Sequence, residues 1–443
     1  MKNIVTEERL AIARKEREAM RDSFLAQYTE KLGKETIDAF RDFCALYDEG
    51  LYIWLSSLWQ PEIGGFYYSE GGRDIETMLP DLESTRQAVV FIKNSGLDKD
   101  FGRGKIEAVS PQMQEKIIGF VKSCQDSESG YFYHPQWKKK ISPARRGRDL
   151  SWAVYLMEEF GGKLDYPTPL EKQSDGKASA ALPEYLQSKE VFKEYLNQKD
   201  FYRNSYVVGN LLQAQTTQII AAGEDYVDIL LNHITERQNP ETGLWGECVN
   251  YDSVNGLMKL VLIFAMCKRP VPNALAALDS CIKVAMSDEK ITFVCEFYNP
   301  IVTMANLIDI VQKNNGQSVG LSLRKRIIEK APQLLEITKK KVELCKKIDG
   351  SFSYAPTRSC FVSQSAPVTD HDMNEGDVNA SGISSTGMTG HFCRIFAIPE
   401  IKLFSKMDAE IFHELLANSK VYPKTAKRPS WMDEWMEKVT ELK

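Results

Sequence analysis

The sequence predicts an all-α protein built from six helical hairpins, because one order of polar turn, aromatic residue and helix start recurs along most of the chain. The clearest copy is Gln238–Gly256, in which a polar turn reaches Gly243, Trp245 follows, and Asp252 or Ser253 precedes a long apolar run. Glycine tolerates the positive φ that such turns use, and Asp or Ser side chains accept the first free amides of a helix. The stretch is therefore expected to join two helices and to hold its aromatic residues at the top of the second one.

Residues 60–92, 125–157 and 347–380 are looser copies of this order. Together with two further capped helix starts they give six expected starts, separated by 47–78 residues, a length that suits a helical hairpin with its loops. The starts lie at Asp81, Asp149, Asn204, Asp252, Asn299 and Asp377. Hairpins of this kind either stack as an open solenoid or close into a ring. The loops vary widely and concentrate acids and aromatic residues at one end of one helix set, which favours a closed double ring with one mouth.

Gln238, Gly243 and Trp245 also resemble the Gln…Gly-x-Trp turn that recurs in terpenoid cyclases. Over roughly residues 40–400 the chain is similar to the α/α-toroid proteins, a group that includes the six-hairpin glycosidases and the terpenoid cyclase and protein prenyltransferase toroids. The resemblance implies an (α/α)6 toroid, a double ring of six helical hairpins, with extra helices at both ends.

The ends of the chain have the character of added elements. Residues 1–34 are expected to form an amphipathic helical arm, residues 35–404 the toroid domain, and residues 405–443 a C-terminal helix that packs on the outside of the toroid. Leu164–Lys189 has no clear helical period before Pro183 and is interpreted as a long surface loop or lid. The basic run Lys138–Arg148 is interpreted as a solvated loop.

Composition and charge exclude several classes of function. A hydrophobic fraction of 43% with 26% charged residues is that of an ordinary globular protein with a large core. A net charge of −5 argues against nucleic acid as a partner, because phosphate binding needs a basic surface. No apolar run is long enough to span a membrane, the first 34 residues are densely charged, and the nine cysteines form no CxxC pair. We therefore expect a cytoplasmic protein with reduced thiols and no membrane partner.

The stretch with the most chemistry is Thr369–His391, which places Asp372, Glu375 and Asp377 close together, directly before a helix that begins with small residues. Crowded carboxylates raise one another's pKa, so one can remain protonated at neutral pH while its neighbour is ionised, as general acid–base catalysis requires. Two other interpretations stand beside this one. Asp377 is also a natural N-cap, as are Asp149 and Asp252. The loop could bind Ca²⁺ or Mg²⁺, but its spacing matches no EF-hand, and no metal or cofactor is expected. His391 is interpreted as a core histidine.

If the ring closes, acids from separate hairpins face one cavity whose walls carry aromatic residues. Glu83, Asp149 and Asp252 would join the acids of residues 372–377 there. The expected substrate platform around them consists of Tyr67, Arg86, Tyr133, His134, Trp152, Trp245, Tyr251 and Cys248. Sugars stack their apolar faces on aromatic rings, and two carboxylates at a suitable separation cleave a glycosidic bond. Such a cavity predicts a carbohydrate-active enzyme that hydrolyses a small oligosaccharide, with Asp372 or Glu375 as general acid and Asp149 or Asp252 as base.

Two alternatives come from other classes. A terpenoid-cyclase-like enzyme, or a lyase or isomerase that uses Cys248, would also suit an aromatic-walled cavity. The Asp-x-Asp-Asp signature of the cyclases is absent, however, since Met373 ends the nearest match, Asp370–Met373. The ring could also be a non-catalytic binding scaffold. An open acidic pocket would favour the hydrolase, a deep apolar pocket the cyclase, and a cavity filled by its own large side chains the scaffold.

Overall fold

The computed structural model describes residues 4–99, 108–169, 171 and 183–441, and these residues are mostly helical. A 3-10 turn lies at Glu184–Leu186, and a π-helical turn, Ile383–Gly387, joins the last two helices of the core into one segment. Two short hairpins pair β1 with β2 and β3 with β4. The strands are β1 Trp59–Gln60, β2 Gly65–Phe66, β3 Val362–Ser363 and β4 Ala366–Pro367. The helices are α1 Glu7–Ala26, α2 Thr29–Leu32, α3 Lys34–Cys44, α4 Glu49–Ser57, α5 Glu70–Asp74, α6 Leu82–Ser95, α7 Pro111–Ser123, α8 Pro143–Glu159, α9 Lys189–Asn197, α10 Ser205–Ala222, α11 Glu224–Glu236, α12 Tyr251–Met266, α13 Ala274–Ala285, α14 Cys295–Asn314, α15 Gln317–Ile328, α16 Ala331–Glu343, α17 Val378–Gly382, α18 Met388–Phe396, α19 Lys406–Ala417 and α20 Ser430–Glu441.

The helices that follow the predicted starts pack beside one another. Helix α6 packs against α8 on one side and α17 on the other, α18 packs against α14, α14 against α12, and α12 against α10. The second helices of the hairpins cover this series, since α7 packs against α8, α11 against α10, and α13 and α15 against α14. The all-helical class is therefore confirmed.

Hydrogen bonds and a buried aromatic ring fix the conformation of the recurring turn. Gly243 has φ +65°, its amide donates to the Asn239 carbonyl at 2.7 Å, and the Gln238 side-chain amide donates to the Gly243 carbonyl at 2.9 Å. Trp245 is fully buried, and its indole N–H donates to the Ile234 carbonyl of the preceding helix at 2.8 Å. The aromatic residues at the same place in the other copies, Phe66, Phe132 and Phe352, are also fully buried. These rings anchor each turn in the core, so the expectation that they stand at the mouth is wrong.

The predicted helix starts are correct at some places and displaced at others. Asp81 and Asp377 are N-caps, each accepting a backbone N–H three residues further on at 2.7 Å. Asp149 instead lies inside α8, which begins at Pro143 after a Ser142 cap, and Asn250 rather than Asp252 caps α12. The start predicted at Asn299 also lies inside a helix, α14, which carries Pro300 in its interior. A Ser-Pro start is favourable because Pro has no N–H to satisfy in the first turn.

The two ends of the chain are integrated into the structure. Helix α1 packs against α3 and α19, and its buried Arg21 donates to the carbonyls of Cys44, Tyr47 and Leu403. Helix α20 lies over the loops that precede α6, α8 and α17. Its Met432 is fully buried against Ile75 and Met78 of the first of these loops. The C-terminal helix thus packs on the loops that lead into the core helices.

Within the described residues no helix combines the length and the apolar character needed to cross a membrane. All nine cysteines are free thiols. The lid predicted at Leu164–Lys189 lies partly outside the described residues, since the structure describes neither residue 170 nor residues 172–182.

Candidate functional site

A fully buried arginine gathers three carboxylates at the starts of α6 and α8. Arg145 Nε donates to Asp149 Oδ1 at 2.8 Å, and its terminal nitrogens donate to Glu83 Oε2 at 3.1 Å and to Asp81 Oδ2 at 3.2 Å. The guanidinium also lies over the ring of Trp152, with its carbon 5.2 Å from the ring centroid. We call these four charged residues the Arg145 cluster. Arg145 belongs to the basic run predicted to be a solvated loop, so that prediction is wrong at this residue.

The Arg145 cluster contains one cation and three acids, and burial determines whether one of the acids is protonated. Burial raises the pKa of Asp149 to about 7, although the charge of Arg145 opposes the change. Burial also raises the pKa of Glu83. Asp149 Oδ2 is buried and, among the described residues, has no hydrogen-bond partner. The cluster therefore takes up a proton near neutral pH, and the titration belongs to the group rather than to one residue.

The protein's own loops enclose the Arg145 cluster. The β3–β4 hairpin supplies Ser363, whose carbonyl accepts from Arg145 at 3.1 Å and whose hydroxyl donates to Glu83 Oε2 at 2.7 Å. The open space beside Asp81 and Trp137 measures only about 10 Å³. His134 is also buried here, and burial lowers its pKa to about 4, so its neutral ring donates to the Pro80 carbonyl at 2.8 Å. A substrate has no room beside these acids in this structure.

Glu375 and Asp377 hold loops together. Asp377 accepts the backbone amides of Ala380 at 2.7 Å, Tyr354 at 3.1 Å and Cys360 at 3.3 Å. Burial still raises its pKa to about 7. Glu375 accepts three donors from two neighbouring loops, and burial raises its pKa as well. These donors are the Gly71 amide at 2.6 Å and the hydroxyls of Ser69 at 2.8 Å and Thr369 at 3.0 Å. The N-cap interpretation of Asp377 is therefore confirmed.

The other predicted site residues are dispersed. Asp372 is exposed with φ +57°, and Arg358 lies 3.7 Å from its carboxylate. Asp252 and Cys248 are exposed at the start of α12, where half-buried Tyr251 accepts from Asn299 at 3.0 Å. Tyr67 is buried, Tyr133 is half-buried under Lys139, and Trp245 is in the core. Of the predicted set, the structure brings Glu83, Asp149 and Trp152 together around Arg145, with His134 beside them.

A separate cavity of about 300 Å³ lies between α6, the first turn of α14 and the continuous helical segment 378–396. We call it the interhelical cavity. Its polar lining consists of Arg86, Gln87, Asn94, Tyr298, Asn379, Thr386, His391, Arg394 and Glu400. Gln87 connects it to the Arg145 cluster, because its amide N–H donates to Glu83 Oε1 at 3.2 Å. The cluster is thus one side chain away from open space.

One wall of the interhelical cavity carries an ordered chain of three polar side chains. Arg394 donates to His391 Nδ1 at 3.1 Å, and His391 Nε2 lies 2.9 Å from the Tyr298 hydroxyl oxygen. Because arginine can only donate, Nδ1 carries no proton. Burial, together with the charge of Arg394, lowers the His391 pKa to about 4, so the ring is neutral and its Nε2–H donates to the Tyr298 oxygen. The phenolic proton of Tyr298 is therefore free to point into the cavity.

The backbone beside this wall is shaped for close approach. The π-helical turn Ile383–Gly387 widens the helix, and such turns recur at functional sites. A Cβ atom at Gly387 would lie 3.1 Å from the Tyr298 ring. No sequence pattern marks Tyr298 as a site residue, and the prediction that His391 belongs to the core does not anticipate its place on the cavity wall. The available signal was the spacing of His391 and Arg394, three residues apart on one helix face after a run of small residues.

A larger cavity lies elsewhere. It measures about 710 Å³ between α7 and α19, and its lining includes Met113, Lys116, Glu410 and His413 but none of the predicted site residues. The ring nitrogen of His413 donates to the Leu97 carbonyl at 2.8 Å. We give the interhelical cavity priority because its polar groups converge from three elements and include an oriented hydroxyl.

The chain was compared with models of known protein families, with curated proteins and with solved structures, and none of them matches it. Among residues 4–99, 108–169, 171 and 183–441, no group of three or more His, Cys, Asp or Glu side chains could hold a metal ion. The interpretation of the site therefore depends on its own geometry.

Proposed function

We propose that the core helices form an (α/α)6 toroid. The packing order α8, α6, α17–α18, α14, α12, α10 supports this arrangement, because it leaves only α10 and α8 to meet. A charge on α8 also influences a group on α12, the helix that packs against α10. Burial lowers the pKa of Lys259 on α12, and the positive charge of Arg148 on α8 lowers it further. A closed ring would bring α12 toward α8 through α10, and the influence of Arg148 on Lys259 supports such an approach.

We further propose that the protein is a carbohydrate-active enzyme that cleaves a glycosidic bond of a small saccharide bound in the interhelical cavity. The observation that carries this proposal is the Tyr298 hydroxyl, which His391 orients toward a polar cavity of about 300 Å³. That volume is at the lower end of the range of ligand pockets, about 300–1,000 Å³. Sugar hydroxyls need both donors and acceptors, and Asn94, Asn379 and Thr386 offer both.

The chemistry assigned to this cavity differs from that of the carboxylate pair expected from the sequence. Tyr298 donates its proton to the leaving oxygen, and the N–H of His391, backed by Arg394, stabilises the phenolate that forms. Burial raises the Tyr298 pKa to about 12, so the hydroxyl keeps its proton until the leaving oxygen becomes basic. The water that replaces the leaving group forms the new C–O bond and gives its proton to the Tyr298 phenolate, which restores the hydroxyl.

A non-catalytic binding scaffold is the second candidate, and the enclosure of the Arg145 cluster favours it. Loop residues leave about 10 Å³ beside these acids, so the acids could serve only to hold the helix starts together. A scaffold of this kind would bind a saccharide in the interhelical cavity without cleaving it. The polar lining of the cavity gives no support to a cyclase, which needs an apolar one.

The test is a turnover assay of the purified protein on neutral and acidic oligosaccharides, with products identified by mass spectrometry. The expected result is cleavage of one saccharide class, with kcat reduced about 10²–10⁴-fold in Tyr298→Phe, the range for loss of a general acid. Tyr202→Phe, at an exposed tyrosine outside the cavity, is the matched control and is expected to keep full activity. Binding without cleavage would favour the scaffold. Neither binding nor cleavage of any saccharide would refute the proposal.

A further inference from the structure

Arg86 is a cation on the wall of the interhelical cavity with no acidic partner. It is half-buried on α6, and its guanidinium carbon lies 4.9 Å from the centroid of the Tyr155 ring. Among the described residues the structure gives it no ion pair and no hydrogen bond. Partly burying a charge without a partner carries a desolvation cost that an anionic ligand would offset. Stacking on an aromatic ring also holds the planar guanidinium ready for a two-point contact.

The other arginine of the cavity differs from Arg86 in this respect. Arg394 donates to Asp309 Oδ2 at 2.7 Å and to Asn306 at 3.0 Å as well as to His391. Its charge is therefore already balanced. Among the described residues that line this cavity, Arg86 alone provides uncompensated positive charge to a ligand.

Two further cations lie on neighbouring core helices without an acid of their own. Arg148 is exposed on α8, and Lys259 is half-buried on α12 beside the ring of Tyr206, 5.6 Å from its centroid. The structure gives neither of them an ion pair with a described residue. Arg148 also lies close enough to Glu83 that its charge lowers the pKa of this acid, against the larger effect of burial. Neither Arg148 nor Lys259 lines the interhelical cavity, so neither offers a second cation to a ligand bound there.

We propose that the ligand of the interhelical cavity is an acidic saccharide, and that Arg86 binds its carboxylate. This inference rests on the proposed function, and it names the substrate class of the same cavity. A single uncompensated guanidinium matches one carboxylate in charge and in planar geometry, whereas a phosphate dianion would call for a second free cation. Glu400 lines the cavity too, and its negative charge repels an anion from its own end of the cavity. The carboxylate is thereby directed to Arg86, and the uncharged part of the saccharide faces Tyr298.

The experiment compares ligands that differ only in the acidic group. Isothermal titration calorimetry would measure galacturonate and galactose oligomers, glucuronate and glucose oligomers, and glucose 6-phosphate with the full-length protein. The acidic member of a pair is expected to bind at least about tenfold more tightly than the neutral one, and added salt is expected to reduce this preference.

Substitution of Arg86 then tests whether this residue causes the preference for the acidic saccharide. Arg86→Gln is expected to remove it while the affinity for the neutral saccharide stays the same, and Arg86→Lys is expected to restore only part of it. Arg203→Gln, at an exposed arginine outside the cavity, is the matched control and is expected to keep the full preference. Equal affinity for acidic and neutral members, a preference for glucose 6-phosphate, or an equal loss of both affinities in Arg86→Gln would overturn the carboxylate assignment and leave the proposed function standing. Absence of binding by every saccharide would overturn both.

Discussion

Replacement of Asp149 by Asn tests whether the Arg145 cluster holds a proton at neutral pH. Asn keeps the size of the side chain and an oxygen that can accept from Arg145 Nε, now 2.8 Å from Asp149 Oδ1. Burial raises the Asp149 pKa in the folded state to about 7. An unfolded Asp has a pKa of about 3.9, and the gap between the two values corresponds to about 4 kcal/mol.

The direction in which stability changes with pH follows from proton binding at this site. Between pH 4 and 7 the folded protein binds more protons at this site than the unfolded chain, so wild-type stability falls as pH rises through this window. Above pH 7 the site contributes no further slope. The Asn variant lacks this titration, so its stability relative to wild type should rise by about 3 kcal/mol between pH 4.5 and 7 and then level off.

Urea unfolding at pH 4.5, 5.5, 6.5, 7.5 and 8.5 measures the stability difference at each pH. The matched control is Asp126→Asn. Backbone and side-chain hydrogen bonds from Ser129 lower the pKa of Asp126 to about 2, so this acid is ionised in the folded state throughout the measured range. The difference between that variant and wild type should be nearly independent of pH. A flat curve for Asp149→Asn, or one that falls with pH, would show that Asp149 is ionised in the folded state and would refute our account of the cluster.

Three further predictions concern stability, each measured by urea unfolding. Arg145→Met leaves three buried carboxylates without their cation and should cost about 3–5 kcal/mol, more at pH 8 than at pH 5, where protonation relieves the charge. Trp245→Ala empties a fully buried site and should cost about 3–5 kcal/mol, whereas Trp435→Ala, at a ring that is 37% exposed, should cost much less. Gly243→Ala and Gly161→Ala both meet φ +65°, which costs about 1–2 kcal/mol, but only at residue 243 would the new Cβ lie 2.3 Å from a backbone nitrogen. Equal costs for the two glycine variants would contradict this account of the turn.

The local features of the fold could be predicted from the sequence because they depend on residues close together in the chain. A Gln, a Gly and an aromatic residue within eight positions specify the turn at residues 238–245, and Asp81 caps α6 as its side chain predicts. The direction of Trp245 could not be predicted in the same way. Its position depends on the carbonyl of Ile234, to which its indole donates, and on packing that only the folded chain provides.

The Arg145 cluster shows why charge in the sequence was a poor guide to exposure. A run with six basic residues from Lys138 to Arg148 is usually solvated. One of these residues is fully buried because the carboxylates of Asp81 and Glu83, more than 60 residues away in the chain, meet it at the helix starts. Contacts between separate segments of the chain also explain the positions of two acids predicted to be catalytic. Asp377 and Glu375 are close in sequence because three loops must be held together there, and each accepts three donors.

The residues of the candidate site, in contrast, are far apart in the sequence and meet only in the folded protein. Tyr298 and His391 are 93 residues apart, and neither belongs to a recognisable motif. Their pairing arises because α14 and α18 pack together, and because Gly387 leaves room for the tyrosine ring. A group that acts on a ligand must keep one polar atom free of partners within the protein. Tyr298 and Arg86 meet this condition beside open space, whereas the buried acids selected from the sequence accept from protein donors and are enclosed by loops. For this reason we place the chemistry in the interhelical cavity and assign the acid-rich mouth mainly to stability.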